Sequence, residues 1–234
     1  MKKGEGLNTK EVHRKLRKMI KAVIFDQDGV VLDSERIHFK SERLVLKNNN
    51  LSLSKGDHKK MKGIRGGEIF AFALNKNNVG GNVQDLLEEK RKIWKNLAKN
   101  GLKIFPCFYE LVENLKKHYR LAITTSSGIR SRNLVKKLFP KQKGIFEVEI
   151  TADDVSKGKP NPEPYLITAK KLCLNPNECV VIEDSLNGIK SAKSAGMKVI
   201  AVTNTFTKKE IGKEKPNVIV SSLCKINLGL IEDL

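Results

Sequence analysis

No stretch of this 234-residue chain approaches the roughly 20 consecutive apolar residues that a membrane-spanning helix needs. The first residues are basic and lack the apolar run of about 7–15 residues that marks a secretory leader. A cytoplasmic protein with no membrane partner is the expectation. Cysteine is scarce: Cys107, Cys173, Cys179 and Cys224 contain no C-x-x-C pair and no histidine at zinc-site spacing. The common structural zinc sites are thereby excluded, and four reduced, mostly buried thiols are predicted. Aromatics are few as well, 6% of the chain, with only three tyrosines and one tryptophan beside nine phenylalanines. Acidic residues are outnumbered 26 to 45 by lysine and arginine, leaving a formal net charge of +19. Such a surface attracts phosphorylated metabolites, nucleic acid or anionic lipid through a salt-sensitive field. The lysines are scattered, however, and not interleaved with aromatics, so nucleic acid is not expected as the main partner. What is present, 39% hydrophobic and 30% charged residues, is ordinary for a chain that buries a substantial core in one or two domains.

Residues 1–18 form a basic N-terminal extension. Asn8 with Glu11 resembles a capping box, and Val12, Leu16, Met19 and Ile20 follow at helical spacing, so a short docked helix and a disordered basic arm both fit. The character then changes. Ala22-Val23-Ile24-Phe25 is an unbroken apolar run of the kind found in strands buried on both faces. Leu121-Ala122-Ile123, Val180-Val181-Ile182 and Val199-Ile200-Ala201-Val202 repeat it, and Asn217-Val218-Ile219-Val220 is a weaker fifth. Amphipathic stretches at Tyr109–Lys117, Ile129–Leu138, Glu163–Leu172 and Asn187–Ala195 alternate with these runs. The alternation predicts an α/β fold with a mainly parallel sheet covered by helices. Between about 37 and 103 no strand candidate occurs, and Ile69, Phe72 and Ala73, then Leu86, Leu87, Trp94 and Leu97, recur at helical spacing. An all-helical insertion after the first strand is predicted.

In an open α/β sheet, ligands bind beyond the carboxyl ends of the strands. The first apolar run is followed by Asp26-Gln27-Asp28-Gly29. Two carboxylates one residue apart need a cation or a shared proton to relieve them, although Asp28-Gly29 alone is equally a turn. The second run leads into Thr124-Thr125-Ser126-Ser127-Gly128, where hydroxyls and free amides offer a phosphate cradle or simply a helix cap. Lys157-Gly158-Lys159-Pro160-Asn161-Pro162-Glu163-Pro164 reads as a proline-stiffened loop presenting Lys159 as a fixed positive charge. The run at 180–182 ends in Glu183-Asp184-Ser185, a second acidic pair. Oxygen ligands from both pairs suit magnesium, and no histidine beside them suggests zinc. Acidic pair, hydroxyl loop, lysine and acidic pair at successive strand ends together describe a phosphoryl-transfer site.

These residues resemble the haloacid dehalogenase-like hydrolase superfamily, in particular the branch similar to β-phosphoglucomutase and phosphoglycolate phosphatase. Phe25 to Glu35 (FDQDGVVLDSE) is similar to that branch's first motif, Thr124 sits where its second motif has Ser or Thr, Gly158-Lys159-Pro160 with Pro162 and Pro164 looks like the third, and Glu183-Asp184-Ser185 with Gly188 and Ala195-Gly196 like the fourth. The resemblance covers about residues 20–225 and implies a Rossmann-like core, 19–36 and 104–234, with a helical cap at 37–103. It implies that Asp26 attacks phosphorus while Asp28 protonates the leaving oxygen and later activates water. Mg²⁺ would be held by Asp26, the Asp28 carbonyl and Asp184, with Glu183 a further or water-mediated ligand. Thr124 and the Thr125 amide would hold the phosphoryl group, and Lys159 would neutralise it. The presence of Asp28 favours phosphate esters over halides, and the neighbouring Asp26 charge is expected to raise its pKa.

Two departures stand out. Cys107 follows Pro106 where relatives usually have glycine at the hinge into the core. His38 falls where the phosphoglucomutase has a functional histidine, and a cap-face or packing role without mutase significance is expected for it. Lys90 and Lys92 lie near the position of the mutase's cap lysine. Arg65 and Lys62 are the expected cap contacts to substrate, beside His38. The resulting expectation is a cytoplasmic Mg²⁺-dependent phosphatase of a small phosphorylated metabolite, of sugar phosphate or phosphoglycolate type, acting as a monomer or weak homodimer. A phosphomutase is the alternative within enzymes, and a basic nucleic-acid-binding protein on the same fold the alternative outside them.

Overall fold

The computed structural model describes residues 20–60 and 66–234. Six strands, β1 (Ala22–Phe25), β2 (Arg120–Thr124), β3 (Val148–Ile150), β4 (Cys179–Glu183), β5 (Lys198–Val202) and β6 (Val218–Val220), form one sheet in the order β3-β2-β1-β4-β5-β6. Every neighbouring pair is parallel. This Rossmann-like order reverses direction between β1 and β4, which opens a crevice at their carboxyl ends. The five runs read as strands are strands. β3 was not expected, because Val-Glu-Ile is too short, and too interrupted by Glu149, to stand out from a loop.

Helices α1 (Glu35–Asn48), α2 (Lys55–Lys60), α3 (Gly66–Lys76) and α4 (Val83–Gly101) follow β1 before the chain returns to the sheet. The remaining helices are α5 (Phe108–Leu115), α6 (Ile129–Leu138), α7 (Glu163–Lys171), α8 (Leu186–Ser194), α9 (Lys208–Gly212) and α10 (Leu228–Glu232). No strand interrupts α1–α4 among the described residues.

Strand alternation divides the core into two layers. Val23, Phe25, Leu121, Ile123, Val180 and Ile182 face one side, against Phe108, Leu111 and Leu115 of α5 and Val135 of α6. Ala22, Ile24, Ala122, Val181 and Val199 face the other, against Tyr165 and Ala169 of α7 and Ile189 and Ala192 of α8. Helices α1, α3 and α4 share a separate apolar cluster built on Val45, Leu46, Phe70, Ala73 and Leu86. Two strand-like segments join these helices to the sheet, bonded through Asp33 N to Lys103 O at 2.9 Å and Phe105 N to Val31 O at 3.0 Å.

The expectation of four reduced thiols does not hold. Cys107 and Cys224 form a disulfide, with Cα atoms 5.2 Å apart across a sequence separation of 117. Cys173 is exposed and Cys179 buried, both free. Local spacing cannot reveal this pair, because only folding carries the Leu223–Lys225 turn to the start of α5. The thiol argument for a reducing compartment therefore falls away. The Cys107 backbone has φ 63°, in the left-handed region where glycine is at ease. No helix among the described residues is long and apolar enough to cross a membrane.

Phe108 is fully buried and meets Phe25 edge-on at 5.9 Å. Phe108→Ala is expected to lower unfolding free energy by about 3–5 kcal/mol in urea titrations. Val79→Ala, at a side chain 47% exposed, should change it by less than about 0.5 kcal/mol.

Candidate active site

Parallel register brings the chemistry together. Phe25 pairs with Ile123 on β2 and with Ile182 on β4, so Asp26, Thr124 and Glu183 come next on three adjacent strands. Beyond Asp26 the chain turns sharply: the Gln27 carbonyl accepts from both Val31 N and Leu32 N at 2.9 Å, and Gly29 takes φ +85°. Glycine is required here twice over, since a Cβ would be strained at that φ and would fall on the Asp184 carboxylate. Gly188, in the first turn of α8, leaves similar room for Glu183.

Lys159 reaches into this cluster from the loop before α7. Its Nζ lies 2.5 Å from Asp26 Oδ1 and 2.7 Å from Glu183 Oε1, and donates to the Thr124 carbonyl at 3.2 Å. The Tyr165 ring lies beneath the ammonium at 4.8 Å, and the Tyr165 hydroxyl donates to Glu183 Oε1 at 3.0 Å. Glu183 Oε2 accepts from Asp184 N, Ser185 N and Ser185 Oγ, at 2.9, 2.9 and 3.0 Å. Both Glu183 oxygens are thus already engaged by protein donors. Asp184 differs. Thr205 donates to its Oδ2, whereas its Oδ1 is buried without a partner among the described residues.

Asp26, Glu183 and Asp184 each place a carboxylate oxygen within 4.8 Å of the others, a set that can hold a metal ion. The electrostatics favour one. Burial pushes Asp26 up to about 8, with Glu183 and Asp28 adding to the rise and Lys159 opposing it. Burial, together with Glu183 and Asp26, holds Asp184 well above the usual carboxylate range. Burial alone would depress Lys159, but Asp26 and Glu183 outweigh it and keep the ammonium charged. Ionised together, three carboxyl groups facing one lysine would leave uncompensated negative charge, which a cation would offset, and Asp184 Oδ1, without a partner among the described residues, is an available oxygen ligand for a hard cation. The residues fit a divalent metal.

Asp28 occupies different surroundings, which correct the expected rise in its pKa. Its Oδ1 accepts from Ser34 Oγ at 2.7 Å and faces His38 Nε2 at 3.5 Å. Its Oδ2 accepts from Ser127 Oγ at 2.9 Å, Thr125 Oγ1 at 3.2 Å and Gln27 Nε2 at 3.3 Å. Burial raises Asp28, but His38 and the hydroxyl donors outweigh it and hold the carboxyl below the usual range.

The second motif also needs correction. Thr124 is fully buried beneath the site. Thr168 on α7 gives its hydroxyl proton to the Pro164 carbonyl at 2.7 Å, so the 2.7 Å contact between the two threonines makes Thr124 the donor to Thr168. Its single proton points away from the cleft. The strand pleat turns the next residue over, and Thr125, with Ser127 two residues on, presents hydroxyls beside Asp28 instead. His38, expected on the cap face, in packing or beside substrate, stacks on Trp94 with ring centres 5.5 Å apart and faces Asp28. Lys90 is paired with Glu42 at 2.5 Å. Arg65 and Lys62 lie outside the described residues.

Ser127 belongs to the hydroxyl loop expected from the sequence, whereas Ser34, Gln27, Thr205 and Tyr165 are not marked there as site residues. Thr203-Asn204-Thr205 directly follows the β5 run, so asking what leaves that strand end would have found Thr205. Nothing local marks Tyr165, because its partners come from β4 and the Lys159 loop.

A family model for haloacid dehalogenase-like hydrolases matches residues 23–202. The phosphorylated carbohydrates phosphatase of Thermotoga maritima is 33% identical over 186 residues, spanning 77% of this chain and 84% of that protein. The crystal structure of a hydrolase of family IA, variant 3, from Entamoeba histolytica is similar with a TM-score of 0.81 at 26% identity, covering 92% of this chain and 98% of the other. That of β-phosphoglucomutase from Clostridium difficile gives 0.77 at 26% identity, covering 92% and 96%.

With the cation removed, burial lifts folded Asp26 to about 8 from its ordinary value of 3.8. The folded state therefore binds more protons within that window, and the stability Asp26 contributes is complete below it and lost as pH rises through it. Melting temperatures of chelator-treated protein should fall across this range, and Asp26→Asn should flatten the fall.

Proposed function

Because the chain belongs to the haloacid dehalogenase-like hydrolase family, we propose that it is a magnesium-dependent phosphatase of small phosphorylated carbohydrates, working through a phosphorylated Asp26. The observation that carries this reading is the contact of one buried lysine with the Asp26 carboxylate, 2.5 Å away, at a strand end that also holds the part-bare Asp184. The substrate class is supported by the Thermotoga maritima relative.

In this reading an Asp26 carboxylate oxygen bonds to phosphorus as the bond to the leaving oxygen breaks, and that oxygen takes a proton from Asp28. Water then attacks the aspartyl phosphate and gives its proton back to Asp28, freeing phosphate and Asp26. Lys159 and the Ser126 and Gly128 amides offset charge on the equatorial oxygens; the Thr125 amide, expected in this role, instead donates to the Ile150 carbonyl at 2.9 Å, and the Ser127 amide to Thr125 Oγ1 at 2.9 Å. Asp26, Asp184 and the Asp28 carbonyl would hold Mg²⁺, which when bound supplies the remaining positive charge; Glu183, its oxygens already occupied, orients Lys159 and the turn after β4. Without ester the donors around Asp28 favour its carboxylate. Ser127 and Thr125 can turn their hydroxyls towards a bound phosphate, which withdraws two of those donors and eases protonation. Helices α1–α4 form the cap that excludes water, with His38 contacting substrate or leaving group from α1.

The similarity to β-phosphoglucomutase favours a second reading, in which the phosphoryl group returns to a sugar hydroxyl. Product analysis separates the two: glucose 1-phosphate should release inorganic phosphate, whereas glucose 6-phosphate as product would replace this proposal with the mutase. Asp26→Asn should lower kcat by on the order of 10⁴-fold or more. Chelation of Mg²⁺ should abolish turnover reversibly, and full activity after either treatment would refute the mechanism.

A further inference from the structure

Arg132 on α6 is fully buried, the largest side chain among the described residues to be so. A buried guanidinium must be matched by charge and acceptors. Glu149 of β3 supplies the charge through a two-pronged contact, 2.9 Å from Nη2 to Oε1 and 3.2 Å from Nε to Oε2, and Lys136 shares that carboxylate at 2.9 Å. The face of Phe146 lies 5.5 Å from the guanidinium carbon. Nη1 points elsewhere and donates to Gln142 Oε1 at 2.7 Å and to Gln27 Oε1 at 3.3 Å.

Gln27 stands between Asp26 and Asp28 and is itself fully buried. A side-chain amide has one accepting and one donating end, and by itself it can sit either way round. A guanidinium only donates. Arg132 therefore compels the Gln27 carbonyl to face it, and the Gln27 NH₂ group must face the other way, where it donates to Asp28 Oδ2 at 3.3 Å. The other donors to that oxygen are the hydroxyls of Ser127 and Thr125, which are free to rotate. Gln27 is not. Resting on the phosphatase reading above, we infer that Arg132, acting through Gln27, is a positioning residue for Asp28. It holds the proton-transferring carboxyl in line while the hydroxyls turn to the phosphoryl group, and it ties α6, the helix that follows the Thr125–Gly128 loop, to the turn after β1.

Poor positioning of a general acid penalises esters whose leaving group needs a proton and spares those whose leaving group does not. Phenyl phosphate and p-nitrophenyl phosphate differ in this respect while sharing a shape. Gln27→Leu preserves bulk and leaves Arg132 its contacts to Glu149 and Gln142. In the Mg²⁺-loaded full chain it should lower kcat about tenfold on phenyl phosphate and less than about threefold on p-nitrophenyl phosphate, with KM changed less than about twofold on either. Arg132→Lys keeps a charge opposite Glu149 but loses the fork, and should show the same leaving-group signature; it carries the test if Gln27→Leu does not fold. Equal losses on the two esters, or no loss, in a folded variant of an active wild type would overturn this inference alone. A wild type that hydrolyses neither ester would overturn the reading of Asp28 and this inference with it.

Discussion

The ammonium of Lys159 sits buried between Asp26, at the end of β1, and Glu183, at the end of β4, at 2.5 and 2.7 Å. A carboxylate at the bottom of a crevice needs such a counterion, since burial favours the neutral form, which is of no use as a nucleophile towards phosphorus. The ion pair is in turn held by packing. The Tyr165 ring lies against the ammonium and its hydroxyl caps Glu183, while Thr168 on the same helix anchors Thr124 from beneath. Helix α7 thereby serves as a floor, and the order of β2, β1 and β4 decides which residues stand on it.

Asp26 and Asp28 are two positions apart, and their surroundings move them in opposite directions. Asp26 is raised by burial with only Lys159 as counterweight, whereas Asp28 is lowered by His38 and a ring of hydroxyls. These directions are the reverse of what a nucleophilic Asp26 and a proton-donating Asp28 need, so the proposed division of labour requires a bound cation to bring Asp26 down and a bound ester to ease protonation of Asp28. The division depends on Gly29, whose missing side chain leaves space for Asp184 and lets the chain turn so that Asp28 leaves the row that Asp26 occupies.

The site draws on every layer of the fold. His38 arrives from α1, stacked on Trp94 of α4, so the helices inserted after β1 reach the Asp28 carboxyl directly. Thr205 arrives from beyond β5 and takes one oxygen of Asp184, and Asn204 beside it donates to the Gly29 carbonyl at 2.7 Å. These contacts restrain the acidic turn at Gly29 and Asp184.

The apolar runs at 22–25, 121–123, 180–182 and 199–202 and the acidic pairs that end two of them were legible in the chain itself, because burial on both faces of a parallel strand demands unbroken apolar sequence and ligands gather where such strands stop. Lys159 was legible for a similar reason, since its prolines restrict the loop before any tertiary contact forms. The pleat at the end of β2 could not be read from a run of hydroxyl residues, and it gave the cleft Thr125 and Ser127 while burying Thr124. The fall in the Asp28 pKa, the Cys107–Cys224 disulfide and the buried Arg132–Gln27 contact likewise belong to the folded chain alone. Each depends on groups far apart in sequence meeting in space, and a one-dimensional pattern records which groups exist without recording which of them become neighbours.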